Sequence, residues 1–81
     1  RWNVDAPHDP EAMERARQSV RDALATLKPR TRAIVVMHEI EGLSRQEIAV
    51  QLSMTEVTVR WHLSTGRRRL RSQLVPQGTD R

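Results

Sequence analysis

The sequence predicts an all-α fold, a compact domain of four helices that ends in a helix-turn-helix. Three observations predict it. Apolar residues recur at three- and four-residue steps in the longer segments, which is the spacing of one buried helical face. Helix-start chemistry appears repeatedly along the chain, at Asp9, Ser44 and Thr55. Finally, a short segment with a small residue at its centre is followed, after a brief break, by a long basic one, as in a helix-turn-helix.

The first helix is expected over residues 10 to 27. Asp9 is an N-cap, Pro10 occupies the first turn, and Glu11 lies near the positive end of the helix dipole. Met13, Ala16, Val20, Ala23, Leu24 and Leu27 form its predicted buried stripe. Pro29 interrupts that helix and opens a second, over roughly 30 to 41, with Ile34, Val35, Met37 and Ile40 inward and Gly42 at its end. The third begins at "LSRQEI". Ser44 and Glu47 have capping-box spacing, and Leu43 and Ile48 have the spacing of a hydrophobic staple. Ile48, Ala49 and Leu52 are its inner face, and "SMTE" ends it after about eight residues. Thr55 caps the fourth helix, stapled by Met54 and Val59, whose apolar line of Val59, Leu63, Gly66, Leu70 and Leu74 continues until Pro76. Gly66 on that line implies close approach to another backbone. Residues 1–9 read as linker and 76–81 as a disordered tail, leaving 10–75 as the folded domain; the start without Met reads as part of something longer.

With 81 residues the chain fits one domain. Its net charge is +4, and the cations are nearly all arginine, which suits bidentate contacts to phosphates and base edges. Residues 57–79 contain Arg60, Arg67, Arg68, Arg69 and Arg71 and no acid, whereas Glu39, Glu41, Glu47 and Glu56 cluster before them against Arg45 alone. Such a split field points to a polyanion at one end and a different partner elsewhere. With no cysteine there is neither disulfide nor thiolate metal site. His8, His38 and His62 lack ligand spacing, and "HEIEG" is not the zinc-protease motif. No Gly-rich phosphate loop occurs, and Glu39 and Glu41 lie on opposite helix faces, so neither an enzyme nor a cofactor is expected. The absence of a long apolar run excludes a membrane span in this segment, and a cytoplasmic setting is the default.

A helical wheel separates the fourth helix into faces. Val59, Leu63, Gly66, Leu70 and Leu74 point one way; Trp61, Thr65 and Arg68 point opposite. Arg60, Ser64, Arg67 and Arg71 form one flank, and Thr58, His62 and Arg69 the other. The expected DNA-facing set is Arg45, Thr55, Glu56, Thr58, Arg60, Trp61, Ser64, Thr65, Arg67 and Arg68. Within it Arg60 is the expected guanine reader, and Arg67 and Arg68 the expected phosphate contacts. Trp61 has two readings, a groove contact with a thymine methyl or a hydrophobic anchor for a partner.

The stretch "LKPRTRAIVVMHEIEGLSRQEIAVQLSMTEVTVRWHLSTGRRRLRSQL" resembles region 4 of bacterial sigma factors, especially the extracytoplasmic-function group. Leu27 and Arg32 match the opening of the family pattern. Glu41, Gly42, Leu43, Ser44, Glu47, Ile48 and Ala49 match its middle, and Thr58, Val59, Arg60, Leu63 and Arg67 its recognition helix. The resemblance spans about residues 24 to 74. It implies a winged-helix-like, region-4-type domain that reads the −35 element of double-stranded promoter DNA, docks on the β flap of RNA polymerase core, and is held in check by an anti-sigma factor. Val57, Trp61, His62, Thr65 and Gly66 stand where the family usually has Gly, Ser, Arg, Arg and Ala, so base preference does not transfer. Ser53 replaces a common turn glycine, which implies a slightly strained or altered turn. Two other readings stand beside this one: the output domain of a quorum-sensing-type response regulator, and a module that mainly clamps an anti-sigma peptide.

Overall fold

Residues 9–74 are described in the computed structural model of the chain. The linker expected over 1–9, apart from Asp9, and the tail expected over 76–81 lie outside the described residues. Four α-helices follow in order: α1 Pro10–Ala25, α2 Pro29–Val35, α3 Arg45–Leu52 and α4 Glu56–Leu74, with a π-helical turn, Val36–Ile40, extending α2. Among the described residues there is no strand, so the winged-helix likeness is confined to the helices.

Local chemistry sets each start. The Asp9 carboxylate accepts from the Glu11 amide at 3.0 Å, and Pro10 follows as the first helical residue. Ser44 accepts from the Glu47 amide at 3.0 Å while Glu47 accepts from the Ser44 amide at 2.8 Å, completing the capping box. Thr55 Oγ1 accepts from the Thr58 amide at 3.1 Å. A cap of this kind contributes about 1 kcal/mol.

One core cluster joins α2, α3 and α4. Ile34, Val35, Ile48, Val59 and Leu63 are fully buried in it, with Leu27 and Ala49 beside them and Leu24, Met37, Leu43, Leu52, Met54 and Leu70 against its edge. Burying each large side chain stabilises the fold by about 1.5–3 kcal/mol. Both staple pairs reach this cluster, so the signals that start α3 and α4 also dock them. The inner line of α4 closes on α2 at Gly66, where an added Cβ would lie 2.6 Å from Val35 Cγ2 and 3.1 Å from Thr31 Cγ2.

Three expectations fail. Ile40 is 63% exposed instead of inward. The Glu41 amide bonds to the Val36 carbonyl five residues back, at 3.0 Å. Such a wide turn carries more residues than an α-turn, and Ile40 swings out with it. The first helix buries only Ala23 and Leu27 of its predicted stripe, with Leu24 half-buried; every residue from 13 to 22 is exposed, because α1 meets the core only at its C-terminal end. Leu74, at the far end of α4, is 43% exposed for the same reason.

Candidate nucleic-acid interface

The turn at residues 53–55 fixes how α4 leaves α3. Ser53 closes α3 in the left-handed region, at φ 57° and ψ 48°, a conformation that favours glycine and costs other residues about 1 kcal/mol or more. Its amide and that of Met54 bond back to the last turn of α3, and Thr55 then caps α4. Arg45, the first residue of α3, and the N-terminal half of α4 are thereby brought to one side of the domain.

Arg45, Arg60, Leu63, Ser64, Arg67, Arg68 and Arg71 line a shallow concavity of about 320 Å³ between α3 and α4. Five of these residues are arginines and none is acidic. The fold therefore gathers Arg45, Arg60, Ser64, Arg67 and Arg68 of the predicted set, and adds Arg71. The helical wheel places Arg71 on this same flank, which is the sequence signal for it.

Trp61 and Thr65 fall on the other side of the α4 ridge. They line a second groove of about 520 Å³ with Thr26, Leu27, Lys28, Arg30, Thr31, His62 and Arg69. Lys28 and Arg30 come from the link into α2, so no wheel of α4 alone could have found them. Thr55 and Thr58 are committed to the start of α4, where Thr55 Oγ1 donates to Thr58 Oγ1 at 3.0 Å. Glu56 is the first residue of α4, half-buried, where its charge complements the helix dipole.

Arg67 differs from its neighbours. Its guanidinium holds Glu39 of the π-turn, Nε to Oε2 at 2.7 Å and an Nη to the same oxygen at 2.6 Å. Arg67 thus has a partner already, and a phosphate contact would have to compete for it. The pair is half-exposed, and such bridges contribute at most about 1 kcal/mol.

His62 is half-buried beneath Trp61. Its Nδ1 lies 2.8 Å from the hydroxyl of buried Thr31, and its ring meets Trp61 edge to face at 5.0 Å. Burial, with a smaller contribution from the nearby Arg30 charge, holds the imidazole below its usual pKa and so favours the neutral ring. Among the described residues no three His, Asp or Glu side chains gather to hold a metal ion, and no helix is long and apolar enough to cross a membrane.

A short capped helix, a three-residue turn and a long helix with an arginine-rich outer face place the chain among helix-turn-helix DNA-binding proteins. α4 also runs unbroken to Leu74; a response-regulator output domain of the kind named above would carry a separate short dimerisation helix after its recognition helix, and none is found among the described residues. Residues 17–70 match the family described as Sigma-70, region 4, and the chain belongs to that family. It is 41% identical over 58 residues to the ECF RNA polymerase sigma factor SigE of Mycolicibacterium smegmatis, covering 72% of this chain and 23% of that one. It is 34% identical over 77 residues to the RNA polymerase sigma-E factor of Streptomyces coelicolor, covering 94% of this chain and 44% of the relative. The chain therefore spans less than half the length of either. No solved structure gives a significant match. The chain is a sigma-factor DNA-binding domain and not an enzyme.

Proposed function

We propose that this domain recognises the −35 element of promoter DNA, with α4 in the major groove, and docks on the β flap of RNA polymerase core under the control of an anti-sigma factor. One observation carries the DNA half of this reading, the acid-free concavity of Arg45, Arg60, Arg67, Arg68 and Arg71 beside Ser64. Arginine at the outer rim neutralises phosphates and holds the helix in register. Arg60, in the second turn of α4, is within the half of a recognition helix that reaches base edges, and guanine is the base that a bidentate arginine reads best. For the protein-contact half, α1 offers Met13 and Val20, seven residues apart on one exposed helix face.

The test is binding of the full factor with core polymerase to a promoter duplex selected from a random pool, over a range of salt. Arg60→Ala is expected to weaken specific binding by roughly 5- to 150-fold, about 1–3 kcal/mol, and to change non-specific binding much less. Arg68→Ala is expected to weaken both and to flatten the slope of log affinity against log salt by about one. Equal losses on promoter and random DNA for both variants would refute this division of roles.

A further inference from the structure

Two large apolar side chains on the outer face of α4 have no role in the core. Val57 is 65% exposed and Trp61 60%. They are four residues apart, so they are neighbours on one face, and that face is the one opposite Val59, Leu63 and Gly66.

Trp61 is also held in place from below. Its ring rests edge to face on His62, which is tied to Thr31 of α2 through the 2.8 Å contact. Thr31 is buried against Gly66 of α4. An exposed indole with a ring beneath it has fewer open positions than an unsupported one, and a side chain so restricted loses less entropy on binding.

Charge says what the indole meets. On one side are Arg45, Arg60, Arg68 and Arg71; on the other are Lys28, Arg30 and Arg69. No acid lines either groove. A matching surface has negative charge along two edges and apolar groups between them. The major groove of a duplex has that layout, with phosphates at both rims and the 5-methyl groups of thymine on its floor.

We propose that Val57 and Trp61 form a ridge that reads thymine 5-methyl groups, and that Trp61 is a specificity-determining residue of this domain. The inference rests on the promoter-reading assignment above. Thr31 and His62 act through Trp61 as positioning residues.

The experiment replaces each thymine of the selected duplex in turn with deoxyuridine, which removes the methyl and leaves base pairing intact. Affinity is measured for the 81-residue chain and for the full factor with core polymerase. The wild type is expected to bind about fourfold more weakly at one or two positions, the size of one buried methyl. In Trp61→Ala the penalty at its position should vanish while the salt slope stays unchanged; Val57→Ser should do the same at a neighbouring position. Thr31→Val should reduce the Trp61 penalty without altering the slope. Both substituted ridge residues are exposed, so loss of folding, checked by circular dichroism, is not expected to intervene. Sequence-selective binding that is indifferent to deoxyuridine everywhere, or a penalty that survives in Trp61→Ala, overturns the ridge alone. Binding without sequence preference in both preparations, or none, overturns the promoter reading and the ridge with it. Loss of a protein partner in Trp61→Ala with unchanged DNA affinity also overturns it and makes Trp61 a protein anchor.

Discussion

Gly66 shows how much a single position decides. A glycine inside a helix costs about 1 kcal/mol relative to alanine, yet here a Cβ would stand 2.6 Å from Val35 Cγ2. Valine is branched at Cβ and cannot swing that methyl away cheaply. Gly66→Ala is therefore expected to destabilise the domain by about 1–2 kcal/mol, because overpacking outweighs the gain in helix propensity; a lower denaturation midpoint at unchanged slope checks it. A stability increase would mean that α2 and α4 can separate at no cost. The close approach was legible from glycine lying on an otherwise apolar line. Its partners were not, since Thr31 and Val35 belong to a helix whose packing angle no local pattern encodes. Arg67 is the opposite lesson: its type and flank were readable, but its pairing with Glu39 depends on a π-turn that brings residues far apart in sequence together.

At the level of elements, the caps and staples were the most legible features, because each is settled within about four residues. The turn at 53–55 was legible too, as a place where serine stands in for glycine. Its φ of 57° bears that out. Ser53→Gly is expected to stabilise the domain by about 1 kcal/mol, the relief of left-handed strain less glycine's extra freedom in the unfolded chain. For a domain of this size that raises the melting temperature by about 4–8 °C, and an unchanged or lower melting temperature would show that the turn stores no strain. The π-turn was not legible. Its Val36 to Ile40 sequence has ordinary helical composition, and the wider bonding follows from closing the chain onto Leu43, whose carbonyl lies 2.8 Å from His38 Nδ1 and whose amide reaches Met37. The stripe of α1 was legible as a helix but misleading as a core, because periodicity shows which residues share a face and not whether anything covers it.

Across the whole molecule, charge is divided more finely than the sequence suggests. The acids preceding α4 read as a separate negative field, but Glu39, though it does not line the basic concavity, bonds Arg67 from behind it and neutralises one of its arginines. Glu39→Gln should release Arg67 and remove an acid near the phosphate path. Tighter DNA binding with a salt slope steeper by about one is expected from titrations at several ionic strengths; an unchanged slope would show that Arg67 contacts no phosphate even when free. α1 has a different consequence at this scale. From residue 13 to 22 every residue is exposed, and the side-chain bonds are α1's own, with Arg21 bonded to Glu14 at 2.6 Å and to Gln18, and Gln18 bonded to Asp22 at 2.8 Å. A helix of that length without a covered face is marginal in water. Its amides should accordingly exchange with solvent through local opening while those of α2, α3 and the inner half of α4 wait for global unfolding. The domain thus has two tiers of cooperativity, and any partner that covers Met13 and Val20 would announce itself by slowing exchange in the outer tier.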